Sequence, residues 1–147
     1  DRETSGVLIL AKKRSSLCIL HQQLREKKIQ KEYIALVHGI WPNNLKKISE
    51  PLLKTQIKNK NRKVFIHHTG KASETWFKII KKYTCFTLIK IFPKTGRTHQ
   101  IRVHTLHAGH PIVFDKIYQK SIYDNQINKI KKNERLLLHA KKICFRH

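Results

Sequence analysis

Negative charge is scarce in this sequence of 147 residues, in which nine Asp and Glu stand against 32 Lys and Arg, a formal net charge of +23. A polyanion is therefore the natural partner, and nucleic acid is the commonest one. Most of the cations are Lys, and Ile and Asn are also plentiful. Because the base composition of a gene can produce the same bias, the charge indicates a partner without establishing one.

Long apolar runs, methionine and paired cysteines are also missing. No apolar segment approaches the ~20 residues that cross a bilayer, and no secretory signal is visible. The cysteines, Cys18, Cys85 and Cys144, are odd in number and far apart, which predicts buried free thiols in a reducing cytoplasm. Since the chain lacks Met and opens on Asp1, we expect it to be a segment of a longer protein.

The motifs of several common enzyme classes are absent. No G-x-G-x-x-G and no P-loop sequence occurs, so dinucleotide and P-loop chemistry lack support. The ten histidines include no H-E-x-x-H, and His99 and His104 do not share a helix face, which disfavours zinc. A metal-dependent nuclease would need clustered carboxylates. Only a few acidic residues lie near polar turns: Asp1, Glu3, Asp115 and Asp124.

Hydropathy patterns predict strands alternating with few helices. The apolar run 7–11 is typical of a buried strand, and leucines at helical spacing predict a helix from residue 15 or 16 to about 28. Further strands are expected at 31–39, 72–83 and 85–92, and an apolar element at 136–140. Loops or weak strands are expected at 43–63, and disorder is expected at 119–134. The pattern indicates an α+β fold with a mixed, largely antiparallel sheet flanked by helices.

A polar helix is predicted between residues 98 and 109. Thr98 is a suitable N-cap, Gly109 sits where a C′ glycine would close the helix, and Pro111 follows as a stop. Arg102 supplies a planar, permanently charged guanidinium, and Ile101 is expected to face the core. The helix is either a solvated basic surface or the wall of a site.

One possible site pairs a carboxylate with a guanidinium in a basic groove. It requires an ionised Asp, an Arg that keeps the pKa of this Asp low, and an aromatic ring for a base. Asp1, Arg102 and Tyr33 supply these groups. Each also has a simpler interpretation, since Asp1 can form an ordinary Asx turn and Tyr33 can fill core volume.

Several separated motifs together resemble the pseudouridine synthases of the RluA family, nearly end to end and in the same order and spacing. One departure is Phe114, which stands where many relatives have glycine. The matching segments are Asp-Arg-Glu-Thr-Ser-Gly at 1–6, Lys-Glu-Tyr at 31–33 with Gly39, Thr-Gly-Arg-Thr-His-Gln-Ile-Arg-Val-His at 95–104, Gly-His-Pro at 109–111 and Leu-His-Ala at 138–140.

The resemblance implies a role for each matching site residue. Asp1 corresponds to the catalytic aspartate, Arg102 to the arginine that pairs with it, and Tyr33 to the tyrosine that stacks on the target uracil. Leu138 corresponds to the aliphatic residue on the other side of that base. The remaining predicted substrate-binding residues are Thr4, Arg97, His99 and Gln100.

The resemblance also implies the pseudouridine synthase catalytic fold, with a central basic cleft. The implied reaction isomerises specific uridines of 23S ribosomal RNA to pseudouridine without a metal or small-molecule cofactor. Residues 1–147 would form part of the catalytic domain of a cytoplasmic, monomeric enzyme with an S4-type RNA-binding domain upstream. The alternatives are the same chemistry on another RNA, such as tRNA, and a non-catalytic RNA-binding module.

Overall fold

Two sheets and two helices make up the computed structural model, which describes residues 1–55, 63–118 and 135–146. The predicted disorder at 119–134, and residues 56–62 of the predicted loop, lie outside this part of the chain. The elements, in chain order, are β1 (Ser5–Gly6), α1 (Arg14–Arg25), β2 (Gln30–His38), β3 (Lys47–Ile48), β4 (Leu52–Lys54), β5 (Val64–Ile66), β6 (Thr75–Lys82), β7 (Phe86–Pro93), α2 (Gln100–His107) and β8 (Leu138–Cys144).

The main sheet has six strands in the order β1-β8-β2-β7-β6-β3, and β4 pairs with β5 in a small separate sheet. Only the β1–β8 pair is parallel; the other described pairs are antiparallel. Strands β6 and β7 form the hairpin expected from the two neighbouring apolar runs. The α+β fold with a mixed, largely antiparallel sheet is therefore confirmed.

The core lies on one face of the main sheet, beneath α2. Alternate residues of the central strands point to this face, as the period of two in a strand requires. Ala35 and Val37 of β2 and Ile89 and Ile91 of β7 are at most 1% exposed, and Ile101 of α2 packs with them. This packing holds α2 against the sheet and so determines where its polar side chains lie.

Helix α2 ends as predicted but begins differently. Gly109 has φ +80°, and the N–H groups of Gly109 and His110 donate to the carbonyls of Leu106 and Thr105, which is a Schellman motif. The N-cap is His99, in the left-handed region at φ 52° and without a side-chain cap, so the prediction of Thr98 was wrong. The turn before the helix is instead held by the side chain of Gln100, which accepts the N–H of Arg97.

The expected buried strand at 7–11 is absent. Only Ser5 and Gly6 pair with β8, and the N–H of Val7 makes the last bond, to the carbonyl of Ala140. Leu8 and Leu10 are both 80% exposed. The run lies beyond the edge of the sheet, where no described element covers it, so its apolar composition does not lead to burial.

Helix α1 is also more exposed than its sequence pattern suggested. Leu17 and Leu24 of the predicted apolar stripe are more than 40% exposed, and the helix buries only Gln23.

The three cysteines are exposed, so the prediction of buried thiols was wrong. Cys18 is exposed because it lies on the sparsely packed helix α1. In the described ranges, no helix is long and apolar enough to span a membrane.

Phe114, the departure noted in the sequence, has a left-handed backbone at φ 62°. Residues with a Cβ adopt this region at a cost of roughly 1–2 kcal/mol, whereas glycine adopts it freely. A glycine at position 114 would adopt this backbone conformation without that cost.

Gly6 is required by the close approach of β1 to β8. Its φ is +105°, and a Cβ added there would lie 2.2 Å from the carbonyl oxygen of Ala140. We expect Gly6→Ala to lower the free energy of unfolding by about 2 kcal/mol or more, because strain and steric overlap add together. Denaturant unfolding at neutral pH measures the change.

Gly109→Ala is the matched control. It has a similar φ of +80°, but a Cβ there would meet no described atom within 4 Å. It should cost only the backbone strain of about 1 kcal/mol. Equal losses for the two variants would show that the contact with Ala140 does not restrict residue 6.

Candidate active site

A cleft of about 680 Å³ opens between the N-terminal turn, the start of α2 and the ends of β2 and β8. All eight site residues predicted from the sequence line it. They are Asp1, Thr4, Tyr33, Arg97, His99, Gln100, Arg102 and Leu138. Lys31 and Arg2 add positive charge to the walls, so the predicted basic cleft is present.

Arg102 forms the floor of the cleft and is 1% exposed. Its Nη1 donates to both carboxylate oxygens of Asp1, at 3.2 and 3.1 Å. Asp1 Oδ1 also accepts the N–H of Glu3, so the Asx turn and the ion pair exist together. The carboxylate keeps 17% of its side chain exposed, and it is therefore anchored on one side and open to the cleft on the other.

The guanidinium binds three carboxylates rather than the single one expected from the sequence. Its Nε and Nη2 donate to Asp115, at 2.8 and 2.6 Å, and Nη2 lies 3.0 Å from Glu3 Oε2. Asp115 is fully buried, and its Oδ1 also accepts the N–H groups of Ile117 and Tyr118. This bidentate pair sets the plane of the guanidinium, so that Nη1 faces Asp1.

The carboxylates therefore surround a cation that belongs to the protein. Among the residues that the structure describes, no three His, Cys, Asp or Glu side chains are arranged to hold a metal ion.

Tyr118 joins the guanidinium to the wall of the cleft. The Arg102 Cζ lies 5.3 Å from the centre of its ring, within the range of a cation–π contact. Its hydroxyl accepts the N–H of Val64 at 3.0 Å and lies 2.9 Å from His99 Nδ1. The hydroxyl therefore connects the backbone of β5 to the imidazole in the cleft wall.

His99 is a hydrogen-bonding side chain in the cleft wall. Burial lowers its pKa, and the charge of Arg102 lowers it further. Because Nδ1 is engaged by Tyr118, Nε2 is the ring nitrogen left to hydrogen-bond with a ligand in the cleft.

Tyr33 and Leu138 lie on two strands that border the cleft. Tyr33 pairs with Ala140 across β2 and β8, which brings its ring near Leu138, two residues earlier on β8. Burial raises the pKa of the Tyr33 hydroxyl, so the phenol stays protonated at neutral pH. Burial also lowers the pKa of Lys31, whose Nζ donates to the carbonyl of Thr95 at 3.2 Å.

The side chain of Gln100 makes its hydrogen bonds within the protein. Its Oε1 accepts from Thr95 Oγ1 and the Arg97 N–H, and its Nε2 donates to the Glu74 carbonyl and Thr75 Oγ1. These four bonds use the whole capacity of the amide. Gln100 therefore positions the turn that bears Arg97, although its sequence position suggested contact with substrate.

The sequence alone did not identify Asp115 and Tyr118 as partners of Arg102. Asp115 directly follows the apolar run 112–114, and an acidic residue there is a signal for a buried ion pair. Tyr118 follows three residues later, a spacing compatible with the single turn that the structure shows. Neither residue has a pattern that indicates Arg102 as its partner, since 13 residues separate Arg102 and Asp115.

The chain belongs to the RNA pseudouridylate synthase family, whose sequence model matches residues 1–107. The family predicted from the motifs is thereby confirmed. Curated relatives named ribosomal large subunit pseudouridine synthase C are 65% identical in Buchnera aphidicola of Schizaphis graminum and 50% identical in Escherichia coli K12. The matches cover all of this chain but only 47% and 46% of the relatives, so the chain spans about half their length.

Solved structures of human proteins are also similar. Human RNA pseudouridylate synthase domain containing 1 superposes with a TM-score of 0.81 at 25% identity, over 97% of this chain and 60% of its own. Human RNA pseudouridylate synthase domain containing 4 superposes with a TM-score of 0.75 at 21% identity, over 97% of this chain and 63% of its own. These likenesses support the fold assignment.

Removing the buried partner of Arg102 should destabilise the fold. Asp115→Ala leaves a buried guanidinium without its bidentate acceptor, and we expect a loss of about 3 kcal/mol in the free energy of unfolding. Glu3→Gln is the control, since the Glu3 side chain is 40% exposed and exposed pairs contribute less than about 1 kcal/mol. Urea unfolding of both variants tests the ranking, and similar losses would contradict it.

Buried His104 should make stability depend on pH. Its ring contacts Thr75 Oγ1 and Ser73 Oγ, and burial lowers its pKa below the ordinary 6.5. The unfolded chain therefore binds the proton more readily, and the free energy of unfolding should fall as the pH drops below about 6.5. Urea unfolding at pH 7.5 and 5.5 should show a smaller difference between the two pH values in His104→Gln than in the wild type. An unchanged difference would remove His104 as the cause.

Proposed function

We propose that this chain contains the catalytic site of an enzyme that converts specific uridines of 23S ribosomal RNA to pseudouridine. The observation that supports this most directly is the contact between Asp1 and Arg102 at the floor of a basic cleft. Family membership supports the reaction, and the names of the curated relatives support the ribosomal substrate.

The proposed reaction centres on the exposed edge of the Asp1 carboxylate. The uridine N1–C1′ bond breaks, the uracil rotates, and C5 bonds to C1′. The C5 proton leaves and N1 gains a proton, so the product is an isomer of the substrate. Asp1 acts either as the nucleophile at C1′ or as the base at C2′. Both roles require an ionised carboxylate in a fixed position, which the Nη1 contacts of Arg102 support.

The proposed target base leaves its stack and enters between Tyr33 and Leu138. Flipping a base costs a few kcal/mol, and stacking on an aromatic ring offsets it by about 1–3 kcal/mol. His99 Nε2 would hydrogen-bond with a polar group of the uracil. Thr4 and Arg97 lie at the rim of the same cleft, where they can contact the ribose and phosphates.

The chain is proposed to be part of the catalytic domain of a larger synthase. We expect an S4-type RNA-binding domain upstream and a monomeric, cytoplasmic enzyme. The net charge of +23 supports RNA as the partner, because lysines and arginines provide sequence-independent affinity for the RNA backbone.

Asp1→Asn in the full-length protein should abolish pseudouridine formation. The substitution keeps the size of the side chain but removes the charge that faces Arg102. Tritium release from RNA that contains 5-tritiated uridine measures the C5 step directly. RNA affinity should change by less than about threefold, since the phosphate contacts remain.

The matched control is Glu3→Gln, which removes a carboxylate from the same guanidinium but not from the floor of the cleft. It should retain most of the wild-type rate. Substantial turnover by Asp1→Asn would exclude the proposed role of Asp1. RNA binding by the wild type without tritium release would favour the non-catalytic RNA-binding alternative.

A further inference from the structure

A second groove, of about 410 Å³, meets the active-site cleft at one end of the main sheet. There β2 and β6 begin and β7 ends. We call it the Trp76 groove. Lys31 and Pro93 line both the groove and the cleft. Its complete lining is Lys27, Ile29, Gln30, Lys31, Trp76, Phe92, Pro93 and Lys94.

An exposed aromatic side chain distinguishes this groove. Trp76 is 42% exposed, although its neighbour Phe77 is only 5% exposed, because the two point to opposite faces of β6. The indole Nε1 donates to Glu74 Oε1 at 2.8 Å, which restricts the orientation of the ring. Phe92 lies directly opposite Trp76 on β7, and Ile29 and Pro93 extend the apolar surface.

The groove carries mostly positive charge. Three lysines, Lys27, Lys31 and Lys94, line it, and Lys47 Nζ lies 5.6 Å from the centre of the Trp76 ring. The carboxylate beside the ring, that of Glu74, accepts the indole N–H. Aromatic rings beside lysines are the combination with which proteins bind single-stranded nucleic acid, since bases stack on the rings and phosphates contact the cations. Another groove next to the cleft, along β4, has Lys54, Lys71 and Arg97 but no aromatic lining.

We propose that the Trp76 groove binds an unpaired nucleotide of the RNA strand near the target uridine. Its base stacks on Trp76, and an adjacent phosphate contacts Lys94 or Lys27. This inference rests on the proposed function, because it places the nucleotide relative to Tyr33. Tyr33, Ile91 and Phe77 share one face of the sheet, and Trp76 and Phe92 lie on the other. The RNA strand would therefore pass around the end of the sheet, where Lys31 and Pro93 line both the cleft and the groove.

Trp76 can be observed separately because the chain has only two tryptophans. Trp41 is 1% exposed, and subtracting the emission of full-length Trp76→Phe from that of the wild type isolates Trp76. We expect acrylamide to quench this difference signal in the free protein, and single-stranded ribosomal RNA fragments to quench it and protect it from acrylamide. A difference signal that is inaccessible without RNA would mean that another part of the protein covers the groove, which overturns the proposal.

Affinity measurements provide the second test. Trp76→Ala should weaken RNA binding about tenfold, and Trp76→Phe should weaken it less. Lys94→Glu should weaken it more than Lys82→Glu, which changes the net charge equally at the far end of β6. Equal effects of the two lysine variants, or unchanged affinity in Trp76→Ala, would overturn the proposal.

Tritium release separates this proposal from the proposed function. If the wild type is active and the Trp76 signal does not respond to RNA, the proposed nucleotide site in the groove is wrong, and the proposed function is unaffected. If RNA changes the Trp76 signal but no tritium is released, the function fails, while the groove remains a site for a nucleotide.

Discussion

The guanidinium of Arg102 joins the N-terminal turn to the segment that follows α2. It binds Asp1 before the first strand, Asp115 after the second helix, and the ring of Tyr118 one turn later. A buried guanidinium is tolerated only when its donors are satisfied. The position of the Asp1 carboxylate therefore depends on the same contacts that allow the charge to be buried.

Polar side chains within α2 determine both the start of the helix and the shape of the cleft. Gln100 holds the turn before the helix and contacts Thr75 on β6, which in turn bonds to His104. The helix is thus fastened to the sheet by hydrogen bonds as well as by Ile101. Such fully satisfied networks specify a single arrangement, and they leave Arg97 and His99 at fixed places in the cleft wall.

Much of the fold followed from local patterns. Alternation predicted β2, β6 and β7, and the Gly109–Pro111 signal predicted the end of α2, because strand period and helix termination depend on neighbouring residues. Burial of residues 7–11 was predicted wrongly, and the leucines of α1 are only sparsely covered. Apolar composition indicates which side chains would gain from burial, but another layer must be present to cover them.

The sequence by itself determined the family and the residues that line the cleft, since motifs record residue types and their order. Only the tertiary structure decided that Asp115 and Glu3 share Arg102 with Asp1, that Tyr118 engages Nδ1 of His99, and that the hydrogen bonds of Gln100 are all made within the protein. These facts depend on distances between segments up to 101 residues apart. Chain folding brings such segments together, and no local pattern in either segment specifies its partner.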